Sequence, residues 1–159
     1  MTARQVAVCG PAECTDREAH QAYRVGELLA ESGCVTLCGG GTGVMAAVAA
    51  GAAARGGVVI AVRPDGGRMA EASVTVATNL GEARNAVLVA SADAVIVVGG
   101  SWGTLSEAAL AMRRGDLPVI SLGGWRVLDA DGVAVPGISY VETPEEAVVL
   151  ASSGVSRSA

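Results

Sequence analysis

The chain has 159 residues, 51% of them hydrophobic, and a formal net charge of −5; that length suits one compact domain, and no run approaches the roughly 20 apolar residues that a spanning helix needs. All eleven basic residues are scattered arginines, which argues against a nucleic-acid-binding stripe and leaves any anionic ligand to be held locally. The absence of lysine excludes a pyridoxal-phosphate Schiff base and a Walker A loop, and the N-terminus lacks a signal peptide's long apolar region, so a cytoplasmic protein with no membrane partner is expected.

In chain order, Val6 to Cys9 reads as a strand ended by Gly10-Pro11. Thr15 and Glu18 have capping-box spacing, and apolar residues then recur at helical intervals until Gly33. Cys34 to Cys38 is a second strand, followed by the turn Gly39-Gly40-Gly41-Thr42-Gly43 and an alanine-rich helix to about Arg55. Val58 to Val62 and Ser73 to Ala77 are further strands, separated by a polar loop, and Asn79 to Ala90 reads as a helix with Arg84 and Asn85 near its start. Ala94 to Val98 is a wholly apolar strand of the kind buried in parallel sheets. It runs into Gly99-Gly100-Ser101-Trp102-Gly103-Thr104, after which a helix opening at Thr104 extends to about Arg114. Pro118 to Leu122 is a strand, residues 125 to 135 a hairpin-like excursion around Asp131-Gly132, Ile138 to Val141 a last strand, and Thr143-Pro144 opens a final helix. Alternating strands and helices predict an α/β three-layer sandwich with a mostly parallel sheet. Residues 1–151 form its single domain, and 152–159 a flexible C-terminal tail.

Two glycine turns therefore follow a strand and precede a helix, at the sheet edge where ligands bind in open parallel sheets. Glycine turns let backbone amides converge, and a helix N-terminus adds about half a positive charge, so the pair predicts a phosphate site. Gly41-x-Gly43-x-x-Ala46 formally fits a dinucleotide fingerprint, but the acidic partner for the ribose would have to be Asp65, in a loop beyond the next strand. Arg63 stands at the same edge. Arg84, near a helix N-terminus, opposes the macrodipole, a placement more readily tolerated when the guanidinium holds an anion. Glu107 has two readings: a site carboxylate, or the far end of a Thr104-x-x-Glu107 capping box. Trp102 is either a stacking surface or a packed or interface residue. Cys9, Cys14, Cys34 and Cys38 lack C-x-x-C spacing and the only histidine, His20, falls on a surface helix, so no metal site is expected. Cys34 and Cys38 share a strand face as small hydrophobes and free thiols.

Taken together, the segments Gly39 to Met45, Gly-x-x-Arg84-Asn85, Ser91 to Val97 and Gly99 to Glu107 resemble the LOG family, Rossmann-like proteins long mislabelled as lysine decarboxylases that include cytokinin-activating phosphoribohydrolases. The resemblance covers roughly residues 5 to 150. It implies a nucleoside 5′-monophosphate site, commonly in a homodimer, and hydrolysis of the N-glycosidic bond to free base and ribose 5-phosphate with no cofactor required. On that basis Arg84 and Glu107 are the catalytic residues. Gly39, Gly40, Gly41, Thr42, Gly43, Gly100, Ser101, Trp102, Gly103, Thr104 and Asn85 form the phosphate and nucleotide site. The chain departs from the family pattern where Asn85 replaces a lysine, Gly99 a proline and Ser101 a glycine, and the first glycine turn is one residue short. In these features and in length it resembles a sister branch that includes molybdenum-cofactor carrier proteins, whose ligand also ends in a phosphate. This gives the alternative expectation of a non-catalytic carrier of molybdenum cofactor.

Overall fold

The computed structural model describes residues 2–154. Seven strands, β1 (Gln5–Cys9), β2 (Val35–Cys38), β3 (Val59–Arg63), β4 (Val74–Ala77), β5 (Ala94–Val98), β6 (Val119–Leu122) and β7 (Ile138–Val141), form one sheet in the order β4-β3-β2-β1-β5-β6-β7. Every pairing is parallel, so the mostly parallel sheet expected is parallel throughout. The covering helices are α1 (Asp16–Glu31), α2 (Val44–Ala54), α3 (Arg84–Ser91), α4 (Trp102–Arg114) and α5 (Pro144–Ser152).

Period-two alternation distributes the strand side chains to two cores. From β1, Val6 and Val8 pack with Val25 and Leu29 of α1, Val48 of α2 and Ala147 of α5. Ala7 and Cys9 face the other way, onto Leu88 of α3 and Ala108 and Ala111 of α4. β5 is buried along its whole length because both of its faces are covered. Cys34 and Cys38 lie in one cluster, as their shared face predicts, and all four cysteines are free. α1 and α2 approach backbone to backbone: a Cβ at Gly26 would collide with the Val48 carbonyl, and one at Gly51 with the Tyr23 carbonyl.

Connections run outward from β1 towards β4 on one side, and from β5 towards β7 on the other. The crevice where such a sheet changes direction, at the carboxyl ends of β1 and β5, is the usual ligand position.

Several strands shift by one residue at an end, and three larger differences from the sequence reading bear on the site or its surroundings. The helix expected from Asn79 is broken by positive φ values of 53° at Asn79 and 56° at Gly81. A 3-10 turn, Gly81–Ala83, intervenes, so that Arg84 is the first residue of α3. α4 opens at Trp102, not Thr104, because Ser101 is extended and its side chain accepts from the Thr104 amide. Residues 125–135 contain a single antiparallel bridge, Leu128 with Ala134, held by Asp129 accepting from the amides of Asp131 and Val133. At the C-terminus, Ser152 ends α5 and Arg4 Nη1 donates to the Gly154 carbonyl at 2.9 Å. The rest of the expected tail, 155–159, lies outside the described residues.

Candidate functional site

The β1/β5 crevice opens as a cleft of about 210 Å³ lined by Arg84, Asn85, Ser101, Gly103, Thr104 and Glu107, with Gly10, Pro11, Ala12 and Met45 completing it. Six of the residues singled out in the sequence therefore meet in one place.

The N-terminus of α4 forms one wall. Ser101 Oγ accepts from the Thr104 amide at 3.2 Å and lies 2.9 Å from Thr104 Oγ1, so two hydroxyls sit together at the helix start. The Leu105 amide is satisfied by the Ser101 carbonyl, whereas the amides of Trp102 and Gly103 have no acceptor among the described residues. A Cβ placed on Gly103 would meet nothing closer than Ser101 Oγ at 3.8 Å, so its backbone is open to an incoming group. Two free amides, the one O–H that the mutually bonded Ser101 and Thr104 hydroxyls leave over, and the positive end of a 13-residue helix make a set of donors suited to a phosphate.

Glu107 is not a cap. It lies in the second turn of α4, 8% exposed, with its carboxyl turned towards the sheet at Cys9 and Arg84. Burial pushes its pKa up to about 7, against the opposing pull of the Arg84 charge and a hydrogen bond with the Cys9 thiol. Burial, and then the neighbouring Glu107, hold the Cys9 thiol well above its ordinary range.

Arg84 reaches from the start of α3 to the sheet, where Nη1 donates to the carbonyls of Gly39 at 2.6 Å and Val62 at 3.0 Å. Its Nε is buried without a partner among the described residues. The first glycine turn stands beside this arginine and outside the cleft lining. Gly39 accepts from Arg84, and Gly40 accepts from Arg63, whose guanidinium is also paired with Asp65. Thr42 Oγ1 donates to the Ala12 carbonyl, and a Cβ at Gly43 would collide with the carbonyls of Pro11 and Ala12. Gly41, whose Cβ would meet the Met45 side chain, completes this packed turn. Its hydrogen bonds hold the β1–α1 loop and the two arginines.

Gly100 packs under Trp125, and Trp102 meets the same tryptophan edge-on, with ring centroids 5.0 Å apart and planes at 82°. Trp102 is itself 78% exposed. Asn85 Nδ2 donates to Ser106 Oγ at 3.3 Å. Sequence patterns do not mark Trp125 as a site residue, they mark Met45 only as the end of the first glycine segment, and Gly10-Pro11 reads there only as a strand end. Its position at the switch in strand order is the signal that marks it as part of the site.

A family model for the SLOG cluster4 family matches residues 3–148. The chain belongs to that family. It is 43% identical over 150 residues to an uncharacterized protein from Archaeoglobus fulgidus, covering 93% of this chain and 94% of that one. The molybdenum cofactor binding protein from the phototrophic bacterium Rippkaea orientalis has a similar structure, with 32% identity, a TM-score of 0.85 and coverage of 94% of this chain and 96% of that one. The molybdenum cofactor carrier protein of Chlamydomonas reinhardtii follows at 25% identity and a TM-score of 0.80, covering 93% and 95%. The LOG-like character read from the glycine turns, and its lean towards the carrier branch, therefore hold for this SLOG chain. Among its described residues no helix is long and apolar enough to cross a membrane.

Proposed function

We propose that this protein binds a phosphorylated heterocyclic cofactor, of the molybdenum-cofactor kind, and carries it without cleaving it. The observation that carries this reading is the state of Arg84 and Glu107. A hydrolase of nucleoside monophosphates needs a carboxylate to stabilise an oxocarbenium-like sugar or to position water, and a cation to balance charge. Here the carboxyl is the only one lining the cleft among the described residues and is buried enough to hold its proton up to about neutrality. The arginine Nη1 is committed to two backbone carbonyls. Asn85 supplies an amide where the related hydrolases have a lysine.

The donors at the start of α4 fit a terminal phosphate: the amides of Trp102 and Gly103 and the O–H left over by the Ser101–Thr104 hydroxyl pair. When bound, molybdenum cofactor supplies a redox-active metal for use elsewhere; the residues of this chain hold and shield it. Likeness to cofactor-binding proteins over more than nine-tenths of the chain supports the same reading.

Phosphoribohydrolase activity is the second reading. It is favoured by a carboxyl poised near neutral pH beside a guanidinium, since general acid-base groups work best near the operating pH. Incubation with a panel of nucleoside 5′-monophosphates, assayed for free base, separates the two. The carrier reading expects phosphate-dependent thermal protection with no base released; base release that is lost in Glu107→Gln, with folding retained, establishes the hydrolase instead.

A further inference from the structure

A second cleft, of about 620 Å³, runs between α3 and α4 and is lined by Ala83, Asn85, Trp102, Gly103, Ser106 and Leu110, among others. It shares Asn85 and Gly103 with the cleft that holds Glu107. A group seated on the free amides at the start of α4 therefore stands at the mouth of both. Trp102 is 78% exposed, lines this cleft and meets Trp125 in a T-shaped contact. An exposed aromatic face is a surface on which another planar ring can stack. Among the described residues Asn85 keeps its side-chain carbonyl and one N–H free after donating to Ser106, so an amide-like edge can be matched there by a donor and an acceptor.

We propose that Trp102 is the stacking platform for the planar heterocycle of the phosphorylated ligand, with the ring in the α3/α4 cleft and Asn85 reading its edge. This inference rests on the reading above and adds the place and the residues that hold the ring, so that a phosphorylated purine or pterin binds more tightly than a sugar phosphate alone. The small side chains of Ala83 and Ala109 leave room for the ring, and Leu110 supplies an apolar wall.

Inorganic phosphate, ribose 5-phosphate and guanosine 5′-monophosphate, titrated calorimetrically into the full chain, test it. A stacked ring is expected to tighten guanosine monophosphate about tenfold over ribose 5-phosphate. Trp102→Ala, which keeps the backbone amide, removes that gain by weakening guanosine monophosphate about tenfold more than ribose 5-phosphate, while Trp102→Phe keeps most of it. With Trp125→Phe in place, the remaining indole is quenched by the nucleotide and not by the sugar phosphate. Equal binding of the two organic phosphates in the parent chain, or equal weakening of both by Trp102→Ala, overturns the platform alone. Failure of all three probes to bind removes the phosphate reading and the platform with it. Dissociation of a dimer by Trp102→Ala, with ligand affinities unchanged, assigns the indole to contact with a second copy and also overturns the proposal.

Discussion

Glu107 carries the most direct consequence at the scale of single residues. A carboxyl raised from 4.5 to about 7 in the folded chain keeps a proton that the unfolded chain has already released, so stability falls as pH rises through that window. The accumulated loss above neutrality is about 3 kcal/mol. Glu107→Gln is therefore expected to melt several degrees higher than the parent at pH 8 and to show a flatter Tm between pH 5 and pH 8, as read by calorimetry. A parent Tm that does not fall across this range contradicts the buried-acid account. Arg84→Ala leaves the carbonyls of Gly39 and Val62 without a donor and is expected to cost about 1–3 kcal/mol in denaturant unfolding. It also removes the charge that pulls Glu107 down, so the pH window of Glu107 moves upward. Neither partner of Arg84 was legible in the sequence, because they lie 45 and 22 residues away and no local spacing connects them.

At the scale of elements, the start of α4 decides how the site is built. Ser101-x-x-Thr104 and Thr104-x-x-Glu107 are both compatible with capping, and spacing alone does not choose between them. The extended conformation of Ser101, φ −156° and ψ 170°, makes it the cap and leaves Glu107 to turn inward. Ser101→Ala is expected to lower stability by about 1 kcal/mol and to weaken phosphate binding, measured together by melting with and without inorganic phosphate. The buried strands are legible in the sequence, since β5 is apolar at every position and covered on both faces. The sequence predicts too long an α3 because the pattern of apolar residues continues across Asn79 and Gly81, whose positive φ values interrupt the helix. The close approach of α1 and α2 had no legible signal beyond two unremarkable glycines. Gly51→Ala, which drives a methyl into the Tyr23 carbonyl, is expected to cost about 1–3 kcal/mol or more by denaturant unfolding; an unchanged midpoint contradicts the packing described.

For the whole molecule, an all-parallel sheet gathers residues 10–12, 84–85 and 101–107 at one crevice although they are far apart in the chain. That gathering was foreseeable, since strand ends that precede helices share one edge. What the sequence alone left open was the use to which the edge is put. The family pattern points to cleavage, whereas burial of Glu107, the tethering of Arg84 and the amide at Asn85 support retention. The most direct measurement is to mix the purified chain with molybdenum cofactor, pass it through gel filtration, and quantify the retained pterin as its fluorescent oxidation product, with nucleoside monophosphates assayed for free base in parallel. The carrier account predicts near-stoichiometric cofactor that survives the column, retention weakened by Ser101→Ala, and no free base. Absence of retained cofactor together with steady release of base would contradict it.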